Sequence, residues 1–146
     1  MTTEIRKVTV AGAGTMGPGI AAIFASHGFY TTLTDIQAGA LEKANSTIDM
    51  VYSVLVKEGF LTQGAADSGR ECLKIESNLD VALQDIDFLL ETIPEKLEIK
   101  QSFFREIEPK VGTEVILASN TSGIPITKLA EVTEYPERVI GMHWSN

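Results

Sequence analysis

Residues 7–28, "KVTVAGAGTMGPGIAAIFASHG", constrain this chain more than any other stretch. A short β-branched run ends in glycine, and after a glycine-rich turn Ile20, Ile23 and Phe24 recur on one helical face. Gly28 after His27 supplies a helix stop, with the imidazole beside the negative end. Within the turn, Gly12, Gly14 and Gly17 make a G-x-G-x-x-G. A glycine triplet alone says little, but between a strand and a helix each glycine has a physical role. Gly12 permits the tight turn, Gly14 lets a pyrophosphate approach the backbone, and Gly17 lets helix and strand pack closely. The unpaired N–H groups of the helix start then face an anion. Pro18, in the first turn, removes no needed hydrogen bond.

Asp35 ends a second strand, "YTTLTD", eighteen residues past Gly17. That is the place for a carboxylate that binds the adenosine ribose and repels a 2′-phosphate, so the predicted cofactor is NAD rather than NADP. FAD, a non-nucleotide anion, or a solvated Asp beside an ordinary glycine turn are the alternatives.

The remaining pattern alternates. A long amphipathic helix is predicted from Ala38 to about Glu58, with Leu41, Ile48, Val51, Tyr52 and Leu55 on its apolar side. A shorter helix follows before "CLKIESN", and "DVALQDID" reads as helix or turn. "DFLLETI" (87–93) is an apolar run suited to a strand covered on both faces, and Pro94, Glu95 and Glu98 then open a helix. "TEVILASN" (113–120) and "RVIGMHW" (138–144) are further strands, separated by a short helix at "PITKLAEV". Strands alternating with helices imply right-handed crossovers, and hence a doubly wound α/β fold with a mostly parallel sheet.

A length of 146 residues fits one domain. The net charge of −8 argues against nucleic acid as a partner. No apolar run is long enough to span a membrane, and the N-terminal stretch is too short in apolar residues for a secretory signal. The single cysteine, Cys72, excludes an internal disulfide framework and fits a reducing, cytoplasmic setting. No metal site is predicted.

In a doubly wound sheet, ligands sit at the carboxyl ends of the strands. Three such ends carry polar groups: Glu95, the "SNTS" of 119–122, and the "HWSN" of 143–146. Taken singly, each has a plainer explanation: a helix-start acid, a helix cap, a strand-end imidazole bonded to a carbonyl. Together they flank the edge where a nicotinamide would lie. There a His beside a Ser hydroxyl can take the proton of a substrate alcohol while its carbon gives up hydride. Such a His works best with a carboxylate partner, and none follows His143.

From Lys7 to Asn146 the sequence resembles the L-3-hydroxyacyl-CoA dehydrogenases, in "VAGAGTMGPGIA", "LTD", "ETIPEKLEIKQSFF", "ILASNTSGIPIT" and "RVIGMH". The resemblance implies a Rossmann-type NAD domain over residues 1–146, with a helical hairpin inserted after the second strand across Ala38 to Leu73. It implies pyrophosphate on Gly12, Gly14 and Gly17, ribose on Asp35, and cofactor contacts from Glu95, Lys100 and Asn146. It also implies Ser122 bound to the substrate's 3-oxygen and His143 as catalytic base, acting on a 3-hydroxyacyl-CoA. The family's helical C-terminal domain, which dimerises and supplies the His-partnering Glu, would lie beyond this chain, whose N-terminal piece alone is then expected to be weak or inactive. Two positions depart from the pattern. The usual "HFFNP" reads "HWSN", and the inserted helix has Val51 and Glu58 where the Ser and Lys that touch CoA are usual, with Lys57 one place off. A relative acting on a smaller hydroxy acid, like carnitine or gulonate dehydrogenases, and a non-catalytic NAD-binding module are the alternatives.

Overall fold

In the computed structural model, which describes residues 4–145, six parallel strands form one sheet in the order β3-β2-β1-β4-β5-β6. β1 (Lys7–Ala11) lies near its middle, paired to β2 (Tyr30–Thr34) on one side and to β4 (Phe88–Glu91) on the other. β5 (Ile116–Ser119) and β6 (Val139–Gly141) extend the β4 side, and β3 (Leu73–Glu76) is the edge beyond β2.

Helices cover both faces. α1 (Gly17–Ser26), α2 (Ala38–Lys57) and α3 (Gln63–Cys72) pack with Val8, Val10, Leu33, Phe88 and Leu90 in one apolar cluster. α4 (Leu79–Ala82) precedes β4, and α5 (Leu97–Ile107) and α6 (Ile126–Ala130) border a second cluster with Leu89 and Leu117. β4 thus sends Phe88 and Leu90 one way and Leu89 the other, the period of two that lets a short apolar run feed both cores. Phe104, Ile107 and Leu129 are completely buried, and each such side chain contributes about 1.5–3 kcal/mol. Thr9 is tolerated in the buried β1 because its hydroxyl donates to the carbonyl of Ala82 at 2.6 Å.

The doubly wound class holds, and the sheet is wholly parallel. Three predicted boundaries move. Leu73, expected as the last residue of the helical insertion, and residues 74–76, given no element in the sequence, form the edge strand β3; with one neighbour and four residues, it carries too little apolar signal to stand out. Pro94 and Glu95 do not lie in the first turn of α5, which starts at Leu97 with Glu98 inside that turn. They form the loop after β4, so Glu95 aims across the sheet edge rather than along the helix. β6 ends at Gly141, and His143 and Trp144 continue past it. Among the described residues, no helix is long and apolar enough to cross a membrane.

Candidate functional site

The chain order reverses between β1 and β4, so the loops leaving them part and open a crevice at the carboxyl edge of the sheet. A cleft of about 1080 Å³ lies there, lined by Gly12, Gly14, Asp35, Thr92, Glu95 and Asn120 among others.

The glycine turn is held by its neighbours. Gly12 has φ +114°, in the region that favours glycine, and its N–H donates to Thr34 at 2.8 Å. The Thr92 hydroxyl donates to the carbonyl of Gly12 at 2.9 Å, and a Cβ on Gly12 would come within 2.6 Å of that hydroxyl. A Cβ on Gly17 would fall 1.7 Å from the carbonyl of Gly12, so this position admits no side chain. A Cβ on Gly14 would meet nothing within 4 Å, because Gly14 stands free at the cleft. Two glycines therefore serve the fold, and the third leaves room for a ligand.

Asp35 follows β2 at the cleft wall. One carboxylate oxygen accepts the N–H of Ala13 at 2.7 Å and the other that of Gln37 at 2.8 Å. Each oxygen keeps a lone pair for a hydroxyl. The carboxylate thus fixes the glycine turn and can still accept from a ribose. The next two side chains, Ile36 and Gln37, bring no cation to meet a 2′-phosphate. A glycine turn fixed by its neighbours, an open Gly14 and a carboxylate at the β2 end fit an NAD dinucleotide.

Beyond β4 the cleft wall is polar. Glu95 is about half exposed (45% for its side chain); one oxygen accepts from the Thr121 hydroxyl and from the N–H of Gly123 at 3.3 Å. Burial alone would raise its carboxyl, but those donors and the Lys100 ammonium 3.4 Å away outweigh it and hold it below the ordinary carboxylate range. Lys100, expected to touch cofactor, borders the cleft although its side chain is only 1% exposed, with its ammonium on Glu91, on the carbonyl of Ile93 at 3.1 Å and 3.4 Å from Glu95.

Ser122 and His143 are both exposed, at the carboxyl ends of β5 and β6. Their loops are joined. Asn120 accepts the N–H of Trp144 at 2.7 Å, and the N–H of Met142 donates to Ser119 at 2.9 Å. Asn146 lies outside the described residues. Ser119 and Thr121 belong to the 119–122 run already singled out in the sequence, whereas Thr92 and Glu91 were missed; of these only Glu91 carried a signal, a charged residue inside the apolar run of β4.

A family model described as "3-hydroxyacyl-CoA dehydrogenase, NAD binding domain" matches residues 7–146. The chain belongs to this family. It is 39% identical to a 3-hydroxybutyryl-CoA dehydrogenase of Bradyrhizobium diazoefficiens over 146 residues, all of this chain and 50% of that protein. It is equally, 39%, identical to a 5-formyl-3-hydroxy-2-methylpyridine 4-carboxylate 5-dehydrogenase of Mesorhizobium japonicum over 142 residues, 97% of this chain and 45% of that one. The solved structure of an (S)-3-hydroxybutyryl-CoA dehydrogenase from Ralstonia eutropha superposes with a TM-score of 0.90 at 38% identity, covering 98% of this chain and 50% of that one. The chain thus spans about half the length of these relatives, and what it spans is the family's NAD-binding domain.

Proposed function

We propose that this chain binds NAD along the carboxyl edge of its sheet and forms the cofactor half of a cytoplasmic 3-hydroxyacyl-CoA dehydrogenase, homodimeric at full length. The observation that carries the reading is the convergence of an open glycine turn, a ribose-ready Asp35 and the tied β5 and β6 loops on one edge. Bound NAD supplies the hydride acceptor. Gly12, Gly14 and Gly17 hold the pyrophosphate, Asp35 the adenosine ribose, and Glu95 the nicotinamide side, with Asn146 nearby. Ser122 donates a hydrogen bond to the substrate's 3-oxygen, and a ring nitrogen of His143 takes the hydroxyl proton as the carbon is oxidised. Further protein beyond Asn146 supplies the acid that orients His143, together with the helical dimerisation domain.

A titration of NADH, followed by cofactor fluorescence and by quenching of the sole tryptophan, Trp144, tests the cofactor assignment. Saturable binding with NADPH bound more weakly is expected; no binding at millimolar NADH, or preference for NADPH, overturns it.

A second reading rests on the pyridine-carboxylate relative. Its name puts a small carboxylate without CoA on a dehydrogenase as similar to this chain as the hydroxybutyryl-CoA one. Val51 is half-buried and Glu58 exposed on α2, where the resemblance puts a Ser and a Lys against CoA. Turnover of (S)-3-hydroxybutyryl-CoA by the full-length protein favours the first reading; silence on every acyl-CoA with activity on a small hydroxy acid favours the second.

A further inference from the structure

Behind the cleft wall, five side chains close a ring. Glu91, the last residue of β4, is fully buried, and one of its oxygens accepts from the Lys100 ammonium and from the N–H of Ile93 at 2.9 Å. Its other oxygen accepts from the Ser119 hydroxyl at 2.5 Å, at the end of β5. The N–H of Thr121 donates to Ser119 Oγ at 3.2 Å, and the Thr121 hydroxyl donates to Glu95. Lys100, 3.4 Å from Glu95, completes the circuit. The ring spans β4, the loop after it, α5, and the loop after β5.

A buried ion pair is a poor source of stability, since the loss of hydration offsets much of the attraction. Its geometry is nonetheless demanding. Burial pushes the Glu91 carboxyl above its ordinary range, against the opposing pull of the donors that Lys100, Ser119 and Ile93 aim at it. The Thr121 hydroxyl is likewise spent on both sides: it donates to Glu95 and accepts the N–H of Ile124 at 2.9 Å. Glu91, Ser119 and Thr121 are thus turned inward, whereas Glu95 and Lys100 also border the cleft, and Ser122 follows Thr121 directly. Asp35 lies on the far side of the glycine turn, so the ring adjoins the half of the cleft that the adenosine does not fill.

Resting on the NAD reading of the cleft, we propose that Glu91 is a positioning residue of the nicotinamide half-site: it holds Lys100, Glu95 and the 120–123 loop in place without itself touching the cofactor. Two changes test this. Glu91→Gln removes the buried carboxylate charge and keeps a side chain of the same shape beside Lys100 and Ser119. Thr121→Val keeps the ion pair and removes only the hydroxyl that holds Glu95. Binding of NADH and of ADP, which carries the adenosine half alone, is measured for this chain and both variants by calorimetry, with circular dichroism to confirm folding. Expected is about a tenfold loss for NADH with ADP unchanged within about twofold in each variant that folds, and recovery in Thr121→Ser. Equal loss for both ligands, or unchanged NADH affinity in a folded variant, overturns the proposal. If the unaltered chain binds ADP and not NADH, the NAD reading falls with it.

Discussion

The main-chain N–H of Trp144 donates to the side-chain oxygen of Asn120 at 2.7 Å, tying the tail past β6 to the loop past β5. His143 and Ser122 sit one and two residues from that bond, which, with the Met142 N–H on the Ser119 carbonyl at 2.9 Å, ties together the two segments that carry the proposed catalytic pair. The Trp144 ring packs edge-on to Phe24 of α1, with centroids 5.9 Å apart. The aromatic that replaces the family's usual one therefore anchors the tail to the first helix.

The indole N–H of Trp144 is buried and finds no acceptor among the described residues. Trp144→Phe removes an unpaired donor and keeps an aromatic ring, and its Asn120 contact is made by backbone. We expect stability within about 1.5 kcal/mol of the parent chain and unchanged NADH affinity. A thermal melt and a cofactor titration check both.

Gly14 and Gly17 separate the needs of ligand and fold. Gly14→Val places methyl groups in open cleft, so the melting temperature should hold while NADH binding falls by about tenfold or more. Gly17→Ala drives a methyl group into the carbonyl of Gly12, and the fold itself should lose about 2 kcal/mol or more. Calorimetry with paired melts tells the two apart.

Ser122 and His143 are exposed and take part in none of the contacts that hold the loops. Ser122→Ala and His143→Asn should leave stability and NADH binding of this chain untouched. In the full-length protein each should cut hydride transfer by about 10²-fold or more at saturating cofactor. Turnover at near-parent rate in His143→Asn would remove it from the proton path.

Asp87 clamps the start of the sheet, accepting the N–H groups of Lys7 and Arg6 at 2.8 Å each. The Lys7 and then the Arg6 N–H hold its carboxyl below its ordinary 3.8. A carboxyl depressed by folding stabilises above its unfolded value and loses that contribution as pH falls through the folded one. Asp87→Ala should therefore cost about 1–2 kcal/mol at pH 7, with the deficit shrinking below about pH 4. Denaturant melts across that range measure it, and a deficit that persists at pH 2 would contradict the clamp.

The sequence by itself determined what is local. The glycine turn, the β-branched run before it, the helical spacing after it and Asp35 at the end of "YTTLTD" all lie within residues 7–35, and each states its backbone preference through its own side chains. The apolar runs of β4 and β5 likewise announced buried strands, and the crossover rule turned the alternation into a parallel sheet. Lys100 shows where this stops. The family resemblance marks this lysine as a cofactor contact, but nothing local in the sequence announces its pairing with the buried Glu91, nine residues back. Ser119 and Thr121 likewise reach Glu91 and Glu95 from 26 to 28 residues away. Strand order and register decide which loop ends become neighbours, and that depends on how all six strands bury their apolar faces at once. No single stretch of sequence encodes it; only the folded sheet set Glu91, Lys100 and Thr121 behind Glu95, and Asn120 against Trp144.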